Sequence, residues 1–238
     1  MNDEDIKFKL LGNMGIHIEG AGDIHIPSLN EIFQLNMSTY NEYLSSLLID
    51  KSAFDTEIDE KISNYDVFIV NCYHNYSFKE ISFKAISFFF KCKPSLVMEG
   101  EEVIVELADG KIDRTNFPLL QKVLKMGNNV KLTPPEPEYK PANSRAKKMI
   151  EMIMKNKKNK PPPKEKMDLF SIVSGLVWKN NSQNLESILS MNIFQIYNGL
   201  HTTDKIENVH HTVTAIYAGK IDSKKIKLSD LHWANKME

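Results

Sequence analysis

Hydrophobic positions in this chain follow two rhythms, and the rhythm changes along its length. From Ile6 to Leu11 apolar and polar residues roughly alternate, the period of a strand. Ile16-His17-Ile18 and Ile24-His25-Ile26 also alternate, and between them Glu19-Gly20-Ala21-Gly22-Asp23 predicts a hairpin turn. Helix starts follow. Ser28 with Glu31, Thr39 with Glu42 and Ser77 with Glu80 all have capping-box spacing, in which a hydroxyl takes a free first-turn N–H and the acid reaches back. Behind the second box Tyr40, Tyr43, Leu44, Leu47 and Leu48 form one apolar stripe; behind the third, Ile81, Ala85, Phe88 and Phe89 form another. Val67 to Val70 fits a buried strand or a helix equally well. Val103 to Leu107, then Asp109-Gly110, then Lys111 to Arg114 predicts a second hairpin. Asn116 with Pro118 opens a helix through Leu119, Leu120, Val123 and Leu124 that stops at Gly127.

Past residue 143 the period is helical throughout. Ala146, Met149, Ile150, Ile153 and Met154 make a full amphipathic stripe with lysines on the other side. Leu169, Ile172, Val173 and Leu176 repeat it to about Trp178. Ile193, Ile196, Tyr197 and Leu200 make a third helix, and Ile206, Val209, Val213, Ile216 and Tyr217 a fourth, with Gly219 as its C-cap. Thr133-Pro134-Pro135-Glu136-Pro137 and Pro161-Pro162-Pro163 read as stiff connectors, because proline removes a backbone donor and favours extended geometry. The expectation is an α+β chain: a small mixed N-terminal unit with hairpins over 1–133, a proline-rich connector over 134–144, and a helical C-terminal unit over 145–238 with a Lys/Pro linker at about 155–166.

Charge sharpens this division. Met1 to Asp66 holds thirteen acids against four bases, and Arg145 to Lys166 nine bases against two acids, although the whole chain of 238 residues has a formal charge of −1. With 42% apolar and 26% charged residues the composition excludes wholesale disorder. Two cysteines, Cys72 and Cys92, are too few for a disulfide scaffold or a four-thiolate zinc site. The opening Met-Asn-Asp-Glu-Asp lacks the basic residues of a signal peptide, and no apolar run approaches the roughly 20 residues of a membrane span. A soluble intracellular chain without membrane contact is expected.

The candidate chemistry is thin. Glu207 and His210 share a helical face, as in di-iron carboxylate bundles, but the second Glu-x-x-His and the extra glutamates are missing, and His210 sits four residues after Ile206 where a core histidine is ordinary. His17 and His25 would face each other across a hairpin without a third ligand. Cys92 borders a basic, proline-containing turn with no orienting group, and the glycines near the N-terminus open no phosphate loop. Neither an enzyme nor a cofactor is expected. The tract Lys155-Asn156-Lys157-Lys158-Asn159-Lys160, continued by Lys164 and Lys166, would grip phosphates in a salt-sensitive manner, but it lacks the aromatics or arginines that stack on bases. Nucleic acid is therefore not the leading expectation, and an acidic partner, the chain's own acidic segment included, is at least as strong a one.

Several short stretches, in order, resemble the tail assembly chaperones of phages that infect Gram-positive bacteria. Ile26-Pro27-Ser28-Leu29-Asn30-Glu31-Ile32 is similar to an early element of that family, Tyr40-Asn41-Glu42-Tyr43-Leu44 to its tyrosine-leucine helix, and Lys84-Ala85-Ile86-Ser87-Phe88-Phe89-Phe90 to the segment before its hairpin. Ala142 to Lys148, Asp168 to Trp178 and Asn192 to Tyr197 resemble its later pieces. The likeness breaks between Ser182 and Met191, where the family pattern has a tryptophan and this chain has none. The resemblance implies a cofactor-free binder of the tail tube and tape measure proteins, at work in the host cytoplasm. For client contact it and the amphipathic pattern nominate Met149, Ile150, Ile153 and Met154 with Lys155, Lys157 and Lys158, although such a stripe more often means burial. The alternatives are a tail or baseplate component retained in the virion, and a DNA-associated protein using the lysine tract.

Overall fold

A computed structural model describes residues 1–53, 59, 61–130, 167–179, 184–222, 226 and 232–235. The fold is α+β, with helices and two small antiparallel sheets before residue 130 and helices after it.

The first element departs from the alternation in the sequence. Residues Asp3–Leu11 form a helix, α1, not a strand. Asn2 accepts the Asp5 N–H at 2.7 Å, and Asp3, Glu4 and Asp5 place negative charge on the partial positive charge of the helix start. Ile6 and Leu10, four apart, are both buried, whereas Phe8, which a strand would place on the same face, is exposed. The first hairpin forms as expected from β1 (Ile16–Ile18) and β2 (Gly22–Ile24), with Gly20 and Gly22 at φ of 80° and 93°.

Helices α2 (Leu29–Leu35), α3 (Met37–Leu47), α4 (Asn64–His74) and α5 (Tyr76–Phe90) follow; α5 packs on β2, α3 and α4 pack on α5, and α2 packs on α3. The Ser28/Glu31 capping box is present in full. The next two caps lie upstream of the expected ones. Asn36 accepts the Thr39 N–H at 2.9 Å, and Asn75 accepts the Phe78 N–H at 3.0 Å. An asparagine amide oxygen caps as well as a hydroxyl and needs no acid three residues on. Asn36 also sits at a φ of 76°, a region that asparagine tolerates better than most residues. Val67 to Val70 lies inside α4, whose start is a Ser63/Asp66 capping box.

A three-stranded antiparallel sheet follows, ordered β3 (Ser95–Glu99), β4 (Glu102–Leu107), β5 (Gly110–Ile112). The pairing of β4 with β5 is the expected second hairpin; β3 was not anticipated. Helix α6 (Phe117–Gly127) has proline in its first turn and ends at Asn128. Residues Leu169–Lys179 form α7, Leu185–Leu189 form α8, and Ile193–Tyr217 form one continuous helix, α9, in place of the two expected there. Nothing between Leu200 and Ile206 breaks a helix: His201-Thr202-Thr203-Asp204-Lys205 contains neither glycine nor proline. Gly219 follows at a φ of 67°, in the left-handed conformation that ends helices.

Segments on both sides of the proline connector share one core. Ile172, Val173, Leu176, Ile188, Ile193 and Ile196 belong to the same buried cluster as Ile6, Leu10, Leu29, Tyr40, Phe89 and Leu124. Polar bonds fasten the junction. The Leu29 N–H donates to the Met191 carbonyl at 2.8 Å, and the Gln195 side-chain amide donates to the Leu11 carbonyl at 2.8 Å. Asn192, 1% exposed, donates to the carbonyl of Leu10 and to Asn13 Oδ1, both at 3.0 Å.

Acid will loosen this fold. Burial opposes ionisation of Asp66, but the Ser63 N–H and hydroxyl and the Arg114 guanidinium, 2.6 Å away, outweigh it and hold the carboxyl below its ordinary value of 3.8. Glu31, bonded to Ser28 and Lys91, is lowered as well. A depressed folded-state value stabilises above the unfolded value and loses that contribution as pH falls through the folded one. The urea midpoint should therefore fall between about pH 5 and pH 2, and Asp66→Asn should flatten that decline. An unchanged pH profile in Asp66→Asn would assign the decline to other carboxylates.

Candidate functional site

The seven residues expected to contact clients, Met149, Ile150, Ile153, Met154, Lys155, Lys157 and Lys158, lie outside the described residues, as does the lysine tract. Among the described residues the surface most suited to gripping a polypeptide is an open, mainly apolar groove of about 550 Å³ on the outer side of α3 and α5, reaching the chain just before β3. Tyr43, Tyr76, Phe83, Phe88 and Pro94 supply its apolar walls, and Lys79, Lys84, Glu80 and Lys93 its charge.

Local sequence builds this groove. On α3, Tyr40 and Leu47 are driven fully into the core, and Tyr43, about one turn from each on the same face, is mostly buried at the groove edge. The Tyr40 hydroxyl donates to Asn128 Oδ1, tying α3 to the end of α6, and burial raises its pKa well above the ordinary tyrosine value. On α5, Ala85, Ile86 and Phe89 face inward and leave Phe83 and Phe88 half-buried beside the groove. Phe88 makes edge contacts with Tyr40 and Tyr43, at ring separations of 6.3 and 6.0 Å. Tyr76 is 79% exposed at the start of α5. Aromatics held by a packed backbone and open on one side lose little freedom on binding.

The charges are arranged as well. Glu80 bonds Lys84 at 2.7 Å one helical turn on, which raises the Lys84 pKa. The Lys79 ammonium stands 5.5 Å from the Phe83 ring centre, and that of Lys91 4.8 Å from the Phe88 ring centre while bonded to Glu31 at 3.0 Å. With Glu80 engaged by Lys84, the rim is left positive through Lys79 and Lys93. This surface suits an apolar segment carrying carboxylates.

Other chemistry-bearing residues do not converge. The hairpin register sets His17 opposite Asp23, to which its Nδ1 is bonded at 2.7 Å, and not opposite His25. These residues, with Cys92 and Asp109, line a hollow of about 360 Å³. Among the described residues no group of three or more His, Cys, Asp or Glu side chains is placed to hold a metal ion. Glu207 bonds Lys179 at 2.7 Å, and His210 is exposed beside His211, not in the core. Cys72 is buried, which pushes its thiol up to about 12 and away from the reactive thiolate. No described helix is long and apolar enough to cross a membrane.

Aromatics also stand exposed on the C-terminal side, with Phe170 and Trp178 both on α7. That region is where comparison with known proteins finds a match. The family model described as the YomV second domain matches residues 155–238, about a third of the chain. That family is phage-derived. The match suggests a phage protein. No curated protein and no solved structure matches the chain.

The groove was half legible in the sequence. Tyr43 and the Lys84 to Phe90 stretch were singled out as family-like, but Tyr76 and Pro94 carry no local signal and join them only through the packing of α3 on α5.

Proposed function

We propose that this chain is a phage tail assembly chaperone that binds the tail tube protein, the tape measure protein or both during virion assembly, and makes or breaks no bond in doing so. One observation carries this reading: the tyrosine-leucine helix and the Lys84 to Phe90 segment, two of the stretches that resemble the chaperone family, meet at a single aromatic groove with a basic rim. The phage-derived match over residues 155–238 supports it from the other end of the chain. A chaperone of this kind covers surfaces that would otherwise pair indiscriminately, and open sheet edges of unassembled tube subunits are such surfaces.

Co-expression of the tagged full chain with the tube and tape measure proteins of the same phage tests it. At least one should co-purify, and Tyr76→Ala combined with Lys79→Glu should reduce capture by about tenfold or more, since exposed aromatic anchors dominate such contacts. Tyr76 is exposed, and Lys79 is half-buried in the first turn of α5, where a glutamate suits the helix start, so the melting temperature should stay within a few degrees. No co-purification would overturn the proposal. Recovery of the chain in stoichiometric amounts from finished virions would instead favour a structural tail or baseplate component.

A further inference from the structure

Among the described residues, the three-stranded sheet has one closed edge and one open edge. Two-residue turns set the alternation of its backbone groups. At Gly100-Glu101 the first turn residue has a φ of 63° and the second does not have a positive φ, the pattern of a type II′ turn closed by the hydrogen-bonded pair Glu99 and Glu102. Counting from that pair, the N–H and C=O groups of Ser95, Val97 and Glu99 point toward β4, and those of Leu96 and Met98 point away from the sheet. The same counting from the pair Leu107 and Gly110 turns the Lys111 N–H outward on β5, where it donates to the Gly20 carbonyl at 2.7 Å. The β1–β2 turn thus caps the β5 edge. It is seated so closely that a Cβ at Gly110 would stand 2.2 Å from the Gly20 oxygen. On the β3 edge, no hydrogen bond from another described residue reaches the backbone of Leu96 or Met98.

This edge is also chemically one-sided. Val97 and Met98 are exposed, Met98 by 61%. The strand enters from a basic segment, Lys91-Cys92-Lys93-Pro94, and leaves into an acidic turn, Glu99-Gly100-Glu101-Glu102. Lys91 is engaged by Glu31 and Glu99 by Lys111, while among the described residues no ion pair involves Lys93 or Glu101.

We propose that β3 pairs with β3 of a second copy of this chain, antiparallel about a two-fold axis at Val97, to make a continuous six-stranded sheet. In this register Leu96 of each copy lies opposite Met98 of the other. All the outward-facing N–H and C=O groups of both strands are thereby satisfied in two hydrogen-bonded pairs. The two Val97 side chains meet as a non-hydrogen-bonded pair, with Cα atoms about 4.5 Å apart. Each Lys93 lies beside the acidic turn of the other copy, where Glu101 is available. Pro94, which has no N–H to donate, marks the end of the pairing. The polarity of charge along the strand selects the antiparallel arrangement, because a parallel pair would set base against base and acid against acid. A contact of this size belongs to the weak class of association, with a Kd of roughly 1 to 100 μM. The inference shares Lys93 with the groove rim but does not depend on the chaperone reading, and its measurement requires no client.

Sedimentation equilibrium of the full chain, over a concentration series up to about 300 μM, should show a monomer–dimer equilibrium. Met98→Pro removes an outward donor without touching the β3–β4 ladder, and should raise Kd at least tenfold while circular dichroism and melting temperature hold. Lys93→Glu and Glu101→Lys should each weaken the dimer, and the double swap Lys93→Glu/Glu101→Lys should restore it, a recovery that fold damage would not produce. A monomer at every concentration would overturn the proposal. Protected Leu96 and Met98 amides in such a monomer would assign the edge to another segment of the same chain. A dimer indifferent to Met98→Pro would place the contact elsewhere.

Discussion

Asn192→Ala should destabilise the protein by about 1 to 3 kcal/mol, toward the upper range of single polar substitutions. The side chain has two roles at once. Its Oδ1 accepts the Gln195 N–H at 2.9 Å and caps the longest described helix, and losing such a cap costs about 0.5–2 kcal/mol. Its Nδ2 reaches the chain's first helix, at the Leu10 carbonyl, which also accepts the Asn13 N–H at 3.2 Å, so the loss there is that of one buried hydrogen bond, about 0.5–1.5 kcal/mol. Asn192→Asp separates the two. An aspartate caps as well as asparagine but presents a carboxylate, not a donor, to the Leu10 carbonyl, so it should fail to rescue. Urea midpoints of both variants decide the matter: full recovery by Asp would reduce Asn192 to a cap and remove its role as a clip.

Phe68→Ala should have the largest effect of any substitution considered, about 3–5 kcal/mol. Phe68 is fully buried where α4, α5 and α6 meet, with ring centres at 5.2 Å from Phe117, 5.9 Å from Phe78 and 6.3 Å from Tyr65. Tyr65 is pinned in turn by its hydroxyl, which lies 2.9 Å from the Ile112 carbonyl of β5 and 3.0 Å from that of Val103 in β4. The surrounding rings are therefore poorly placed to collapse into the vacated space, and most of the cavity cost persists. Tyr73→Ala on the same helix is the control. Tyr73 is exposed, and its loss should shift stability by less than about 0.5 kcal/mol. A small effect at Phe68 would mean that the three helices repack freely.

Where the sequence was legible, strong local chemistry was the reason. The first hairpin announces itself through glycines at positive φ, the second through Asp109-Gly110, whose glycine leaves room for the Gly20 carbonyl, and α6 through proline at its start. Where it misled, two local rules fitted the same residues. Ile6 and Leu10 lie on one face at period two and also at a separation of four, and only the acids before them favour a helix. Asn36 and Asn75 cap without an acid at the third position, so the hydroxyl residues downstream drew attention instead. The split of α9 into two stripes followed a pause in its apolar positions, although nothing there ends a helix. The β3 strand was missed because an edge strand half in solvent has weak alternation. The groove and the Asn192 clip depend on residues far apart in sequence, which no single-segment pattern encodes, although the Asn192-x-x-Gln195 spacing did mark a helix start.

The helices after residue 167 are seated against α1, α2 and α6 of the same molecule, so segments far apart in sequence are neighbours in space. Non-covalent contacts at this junction thus link the two stretches of described chain directly. A single backbone cut between residues 130 and 167 should therefore leave two pieces that this junction holds together until they are denatured.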